Sequence, residues 1–123
     1  MTDRIAITGL RVRGWHGVFE HERRDGQDFI VDVALSVPLA AAAASDDVTD
    51  TVDYGAVAAA VTAVVAGEPV NLIETLAARI ATACLDDVRV SSVEVTVHKP
   101  QAPVPGRFDD IAVTIVRTRS GGE

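Results

Sequence analysis

Lys99 is the single lysine in a chain whose other ten of eleven basic residues are arginine. A guanidinium keeps its proton in any protein setting, whereas an ammonium on a lysine stem releases one when it is buried or set beside another charge. A lone lysine at the end of an apolar run and just before Pro100 therefore fits proton transfer, with drift toward arginine as the plain alternative. Glu22 lies in a glycine-flanked polar stretch and could tune such an amine, or could be a solvated charge beside Arg23 and Arg24. Tyr54, the only tyrosine, could stack on a flat heterocycle and deliver a proton through its hydroxyl, or staple a helix start. Glu74 stands three residues after Asn71, which is the spacing of a capping box. Its carboxylate could equally accept two parallel hydrogen bonds from an amino-pyrimidine edge, helped by free N–H groups of the same helical turn.

Other chemistries find no residues to carry them. His16, His21 and His98 form neither a His-x-His nor a His-x3-His pair, so no metal is expected. No nucleotide-binding glycine motif or nucleophile elbow occurs, and no cofactor is implied. Cys84 falls in an apolar helical stripe and reads as a small core residue. A net charge of −7 opposes sequence-independent attraction to nucleic acid or anionic lipid. The longest apolar stretch, 56–66, is about half the roughly 20 residues a bilayer needs, so no membrane span is expected. One cysteine and the absence of a leader-like start point to the cytoplasm.

The elements that must position these residues follow from periodicity. At 123 residues and 48% apolar the chain predicts one domain, 1–123, with a core of its own. Apolar residues alternate from Arg4 to Trp15 and occupy every odd position from Phe29 to Val37, which reads as two strands. The segment between them, with Gly14, Gly17, Glu22 and Gly26, reads as a long functional loop. An acidic surface crossing through Asp46, Asp47, Asp50 and Asp53 follows. Two helices come next: Tyr54 to Ala66, capped by Asp53 and stopped by Gly67, then a second capped by Asn71 with Ile73, Leu76, Ala77, Ile80 and Cys84 as its stripe. Val90 to Val97 and Ile111 to Ile115 read as two further strands, separated by a segment whose three prolines forbid a continuous one. The order strand, strand, helix, helix, strand, strand specifies an α+β domain with helices on one face of a four-stranded antiparallel sheet. The other face, with Ile30, Ala34 and Ala112, is too apolar for open water, and self-association into a homo-oligomer is the economical cover.

Four separated segments, Gly14-Trp15-His16-Gly17 with Glu22, Asp50-Thr51-Val52-Asp53-Tyr54, Asn71-Leu72-Ile73-Glu74, and His98-Lys99-Pro100 with Pro103-Val104-Pro105-Gly106, together resemble dihydroneopterin aldolases. Trp15 stands where that family often has tyrosine, and Asp53 where it can have histidine. The resemblance implies the tunnelling fold (T-fold), in which four subunits close their sheets into a barrel, two rings stack as an octamer, and sites form between subunits. It implies a cofactor-independent aldehyde-lyase that cleaves 7,8-dihydroneopterin in folate biosynthesis, with epimerisation as a side activity. A dihydroneopterin triphosphate epimerase and a non-catalytic pterin-binding oligomer are the alternatives. Carried over by residue, Lys99, Glu22 and Tyr54 would be catalytic. Glu74 and the backbone of Ile73 would hold the pterin edge, Val52, Asp53 and Tyr54 would come from the neighbouring subunit, and Glu22 would also face the side chain of the substrate.

Overall fold

The strands form where the alternation places them, within three residues at their ends. In the computed structural model, which describes residues 3–119, the chain runs β1 (Arg4–Gly14), α1 (Glu20–Asp25), β2 (Gln27–Ser36), α2 (Ala40–Ser45), a 3-10 turn (Val48–Asp50), α3 (Tyr54–Ala66), α4 (Ile73–Cys84), β3 (Ser92–His98) and β4 (Ala112–Thr118). The strands pair antiparallel in the order β1-β2-β3-β4. Phe29, Val31, Val33 and Leu35 of β2 and Val93, Val95 and Val97 of β3 are all buried. Each such side chain contributes about 1.5–3 kcal/mol by leaving water.

β1 changes phase part-way along. Ile7 faces Val33 but Leu10 faces Val31, so Thr8 and Gly9 together oppose Asp32. Gly9 has a φ of 75°, which a glycine adopts without strain, and its N–H donates to Asp32 Oδ1 at 2.7 Å. The bulge moves the inward set from odd positions (Ile5, Ile7) to even ones (Leu10, Val12), all of which pack on the core.

α3 and α4 lie on one sheet face, α3 against β1 and α4 against β3 and β4. Asp53 caps α3 by accepting from the N–H groups of Gly55 (2.9 Å) and Ala56 (3.3 Å). Gly67 ends it, and a Cβ there would sit 2.7 Å from the Ala63 carbonyl oxygen. Val57, Val61 and Val65 of α3 meet Leu76, Ala77, Ile80 and Cys84 of α4 in the core. Burial pushes the Cys84 thiol up to about 11, leaving it protonated and inert. The opposite sheet face carries Ile30 and Ala34, half-buried, and Ala112, exposed. No helix among the described residues is long and apolar enough to cross a membrane.

Three local readings need correction. The stretch read as a loop between β1 and β2 contains α1, a single closed turn-and-a-half with acids in its first turn and arginines in its last, which suits the helix dipole. The crossing after β2 contains α2 and the 3-10 turn; α2 is an alanine run, whose lack of large side chains leaves no period to read. Asn71 does not cap α4. Leu72 occupies the cap position with no side-chain bond, because Arg23 Nη2 takes the Asn71 side-chain oxygen at 2.6 Å.

Candidate active site

Lys99 follows directly on β3. Its backbone N–H donates to the Ile111 carbonyl at 2.7 Å, so both ends of the proline-rich 99–111 segment are tied to the sheet and the lysine stem leaves it in a set direction. The ammonium lies 2.7 Å from Glu22 Oε2; the lysine side chain is 13% exposed and that of Glu22 only 2%. Glu22 reaches this position because α1 is held from both sides. Arg23 Nε donates to the Gly17 carbonyl at 3.0 Å, and Gly17 N–H donates to the Val70 carbonyl at 2.9 Å. Gly17, at φ 150°, lies so close to the carboxylate that a Cβ would fall 2.2 Å from Glu22 Oε1.

Three donors converge on the Glu22 carboxylate: Lys99 Nζ, Gln27 Nε2 at 3.0 Å, and the Phe19 backbone N–H at 3.2 Å. Burial alone pushes such a carboxyl upward. The Lys99, Gln27 and Phe19 bonds outweigh it and hold Glu22 below the ordinary carboxylate range. Gln27 does this with its own amide oxygen buried and unpartnered among the described residues, an arrangement that ordinarily costs about 1–3 kcal/mol.

Both residues of the pair line a cleft of about 230 Å³. Asn71, Leu72, Ile73 and Glu74, where α4 begins, form one wall; Val18, Phe19, Ala102, Pro103, Val104 and Ile111 complete the lining. The first helical bonds of α4 run from Thr75 and Leu76 to Leu72, so the N–H groups of Ile73 and Glu74 precede them, free to meet a ligand. The Glu74 carboxylate is exposed and caps nothing. His16, fully buried, fixes this wall: its Nε2 meets the Val65 carbonyl at 2.7 Å and its Nδ1 accepts the Val70 N–H at 3.0 Å. An accepting Nδ1 makes the ring neutral, and burial lowers its proton affinity in the same sense.

Of the residues singled out from sequence, Lys99, Glu22, Glu74 and Ile73 therefore share one cleft. Val52 and Asp53 do not; they line a separate depression of about 280 Å³ with Ala56, Ala83 and Cys84. Tyr54 lines neither, and is 66% exposed. Residue-type reasoning missed Gln27 and the buried role of His16. It also missed His98, whose two ring nitrogens lie 2.7 Å from Asp32 Oδ2 and 2.6 Å from Asp110 Oδ2, joining β2, β3 and the entry to β4. The one available signal was position, since Gln27 and His16 flank the segment that carries Glu22.

The model of the dihydroneopterin aldolase family matches residues 5–116. The chain belongs to the dihydroneopterin aldolase family. It is 58% identical over 117 residues to the dihydroneopterin aldolase of Streptomyces coelicolor, an alignment that spans 95% of this chain and 98% of that protein. Its fold is similar to that of Escherichia coli dihydroneopterin aldolase in complex with neopterin, with a TM-score of 0.87 and 30% identity over 94% of this chain and 98% of the other. It is also similar to a Burkholderia dihydroneopterin aldolase bound to guanine, with a TM-score of 0.80 and 28% identity over 96% and 92% of the two chains.

Proposed function

We propose that this cleft cleaves 7,8-dihydroneopterin by a retro-aldol reaction to 6-hydroxymethyl-7,8-dihydropterin and glycolaldehyde, as an enzyme of folate biosynthesis in the cytoplasm. The observation that carries the reading is that the Lys99–Glu22 pair lines the same cleft as Glu74 and the open N-terminus of α4, in a chain of this family. Neopterin and guanine, the ligands of two structural relatives, share an amino-oxo pyrimidine edge. Glu74 and the Ile73 backbone suit that edge, which sends the trihydroxypropyl side chain toward Lys99 and Glu22.

The substrate supplies its own electron sink. Loss of the proton on the second side-chain hydroxyl lets the bond between the first and second side-chain carbons break; its electron pair enters the N5=C6 imine and leaves an enol, while glycolaldehyde departs. The Lys99–Glu22 pair takes that hydroxyl proton through a water and serves N5. Protonation of the enol carbon falls to Tyr54 of the partner subunit. Recombination on the opposite face of the same intermediate gives the epimer dihydromonapterin. Among the described residues of one protomer, Lys99 is the only basic side chain lining the cleft and is engaged by Glu22, which disfavours a triphosphate substrate.

The separation of Tyr54, Asp53 and Val52 from Lys99 within one protomer supports a site completed by a second copy. So do the exposed apolar side chains around the cleft: Val18, Phe19, Leu72 and Val104. β1 and β4 are edge strands, and continuation of the sheet through them would give the tetrameric T-fold barrel, with two rings stacked as an octamer. Incubation of the purified protein with 7,8-dihydroneopterin tests the reading: glycolaldehyde and 6-hydroxymethyl-7,8-dihydropterin appear together, and their absence between roughly pH 6 and 10 overturns it.

A further inference from the structure

Gln27 opens β2 and is 7% exposed. Its amide nitrogen donates to Glu22 Oε2 at 3.0 Å, the same oxygen that meets Lys99 Nζ at 2.7 Å. Its amide oxygen is buried and has no partner among the described residues. Interior amides ordinarily satisfy both ends, and here the acceptor is left bare while the donor reaches a carboxylate. The strand does not demand this, since the following inward residues of β2, Phe29, Val31, Val33 and Leu35, are apolar. We propose that Gln27 is a positioning residue of the reaction: its N–H group holds the Glu22 carboxylate in the orientation that keeps Lys99 paired and inside the cleft.

The inference rests on the Lys99–Glu22 reading above and adds what sets the geometry of that pair. Charged and titratable groups surround Glu22 from several elements: Lys99 after β3 pairs with it, Glu74 lines the shared cleft, and His21 and Asp25 of α1 line a cavity of about 200 Å³ with Glu22 and Gln27. Among the neutral groups of the described residues bonded to Glu22, Gln27 provides the only side-chain donor; Phe19 supplies a backbone N–H. Without that donor the carboxylate holds its proton more tightly and is free to turn from the ammonium.

The test uses two substitutions in the full-length protein as it assembles, with wild type in parallel. Gln27→Met removes the donor and the unpaired acceptor at similar volume. We expect kcat to fall by roughly tenfold or more at neutral pH, KM to stay within about threefold, and the acid limb of kcat to move up by about one pH unit. The thermal midpoint should equal or exceed that of wild type, because an unsatisfied acceptor has gone. Gln27→Glu is nearly isosteric and sets a second carboxyl against Glu22, so it should move the acid limb further. NMR titration of the Glu22 carboxyl carbon follows the same shift without turnover, so an inactive wild type would overturn the aldolase reading while still leaving this proposal testable. An unmoved Glu22 titration in both variants overturns it, as does a Gln27→Met protein whose midpoint falls while its acid limb stays in place.

Discussion

Lys99→Arg isolates the proton from the charge. The guanidinium would still pair with Glu22, yet it has no proton to give at any working pH, so turnover should fall by roughly a thousandfold or more while pterin binding persists. Steady-state rates with a fluorescence titration of the product pterin decide it; an active variant means that the proton travels elsewhere. Glu74→Gln acts on the wall of the cleft formed by the start of α4. One acceptor becomes a donor facing a donor, and affinity should weaken by roughly ten- to a hundredfold, read by the same titration. Unchanged affinity would leave Glu74 as a surface charge at the start of α4. Sequence reached these two residues by type alone: one lysine among ten arginines, one glutamate at the head of a helix. It could not reach Gln27, because the amide matters through a bond to Glu22 and a bare oxygen, and neither has a spacing signature.

The strands and the two long helices were legible because burial imposes period: odd positions of β2 on the core, three-and-four spacing on α4. α1 and α2 were not, since each is six residues long and neither buries a stripe. The bulge at Gly9 explains why β1 alternates imperfectly, and Arg23 explains why a good capping residue, Asn71, does not cap. His98 links elements in a way no single segment reveals. Bonds from Asp32 first and Asp110 second raise its proton affinity, so the stabilisation it contributes is complete below its ordinary value of 6.5 and is lost as pH rises through the raised one. Asp32 is the opposite case. Burial works against its charge, but the His98 and Gly9 bonds hold its carboxyl low, so its share is present above about 3.8 and lost as pH falls through the lowered value. The thermal midpoint of wild type should therefore exceed that of His98→Asn by a constant margin between about pH 4 and 6.5, and the margin should shrink above that. A margin that persists unchanged to about pH 9 would mean that the ring acts without its charge.

Assembly is the scale at which Tyr54 and Lys99 meet, if each site draws them from different copies. Inactive Tyr54→Phe and Lys99→Arg proteins, unfolded together in equal amounts and refolded, should then regain roughly a quarter of wild-type activity, because each site independently needs one intact residue from each of two neighbours. Refolding either variant alone should restore none. Recovery indistinguishable from zero would mean that both residues serve one site within a single copy. The solitary lysine also gives the whole chain an unusual surface inventory, since its only ε-amine is 13% exposed and clasped by a carboxylate. Acylating reagents of the kind used for conjugation or surface labelling would thus find no innocuous lysine to decorate: on the proposed mechanism every ε-acyl group, located by peptide mass apart from the α-amine, is a catalytic centre blocked, and its suppression by an added ligand becomes a direct occupancy gauge.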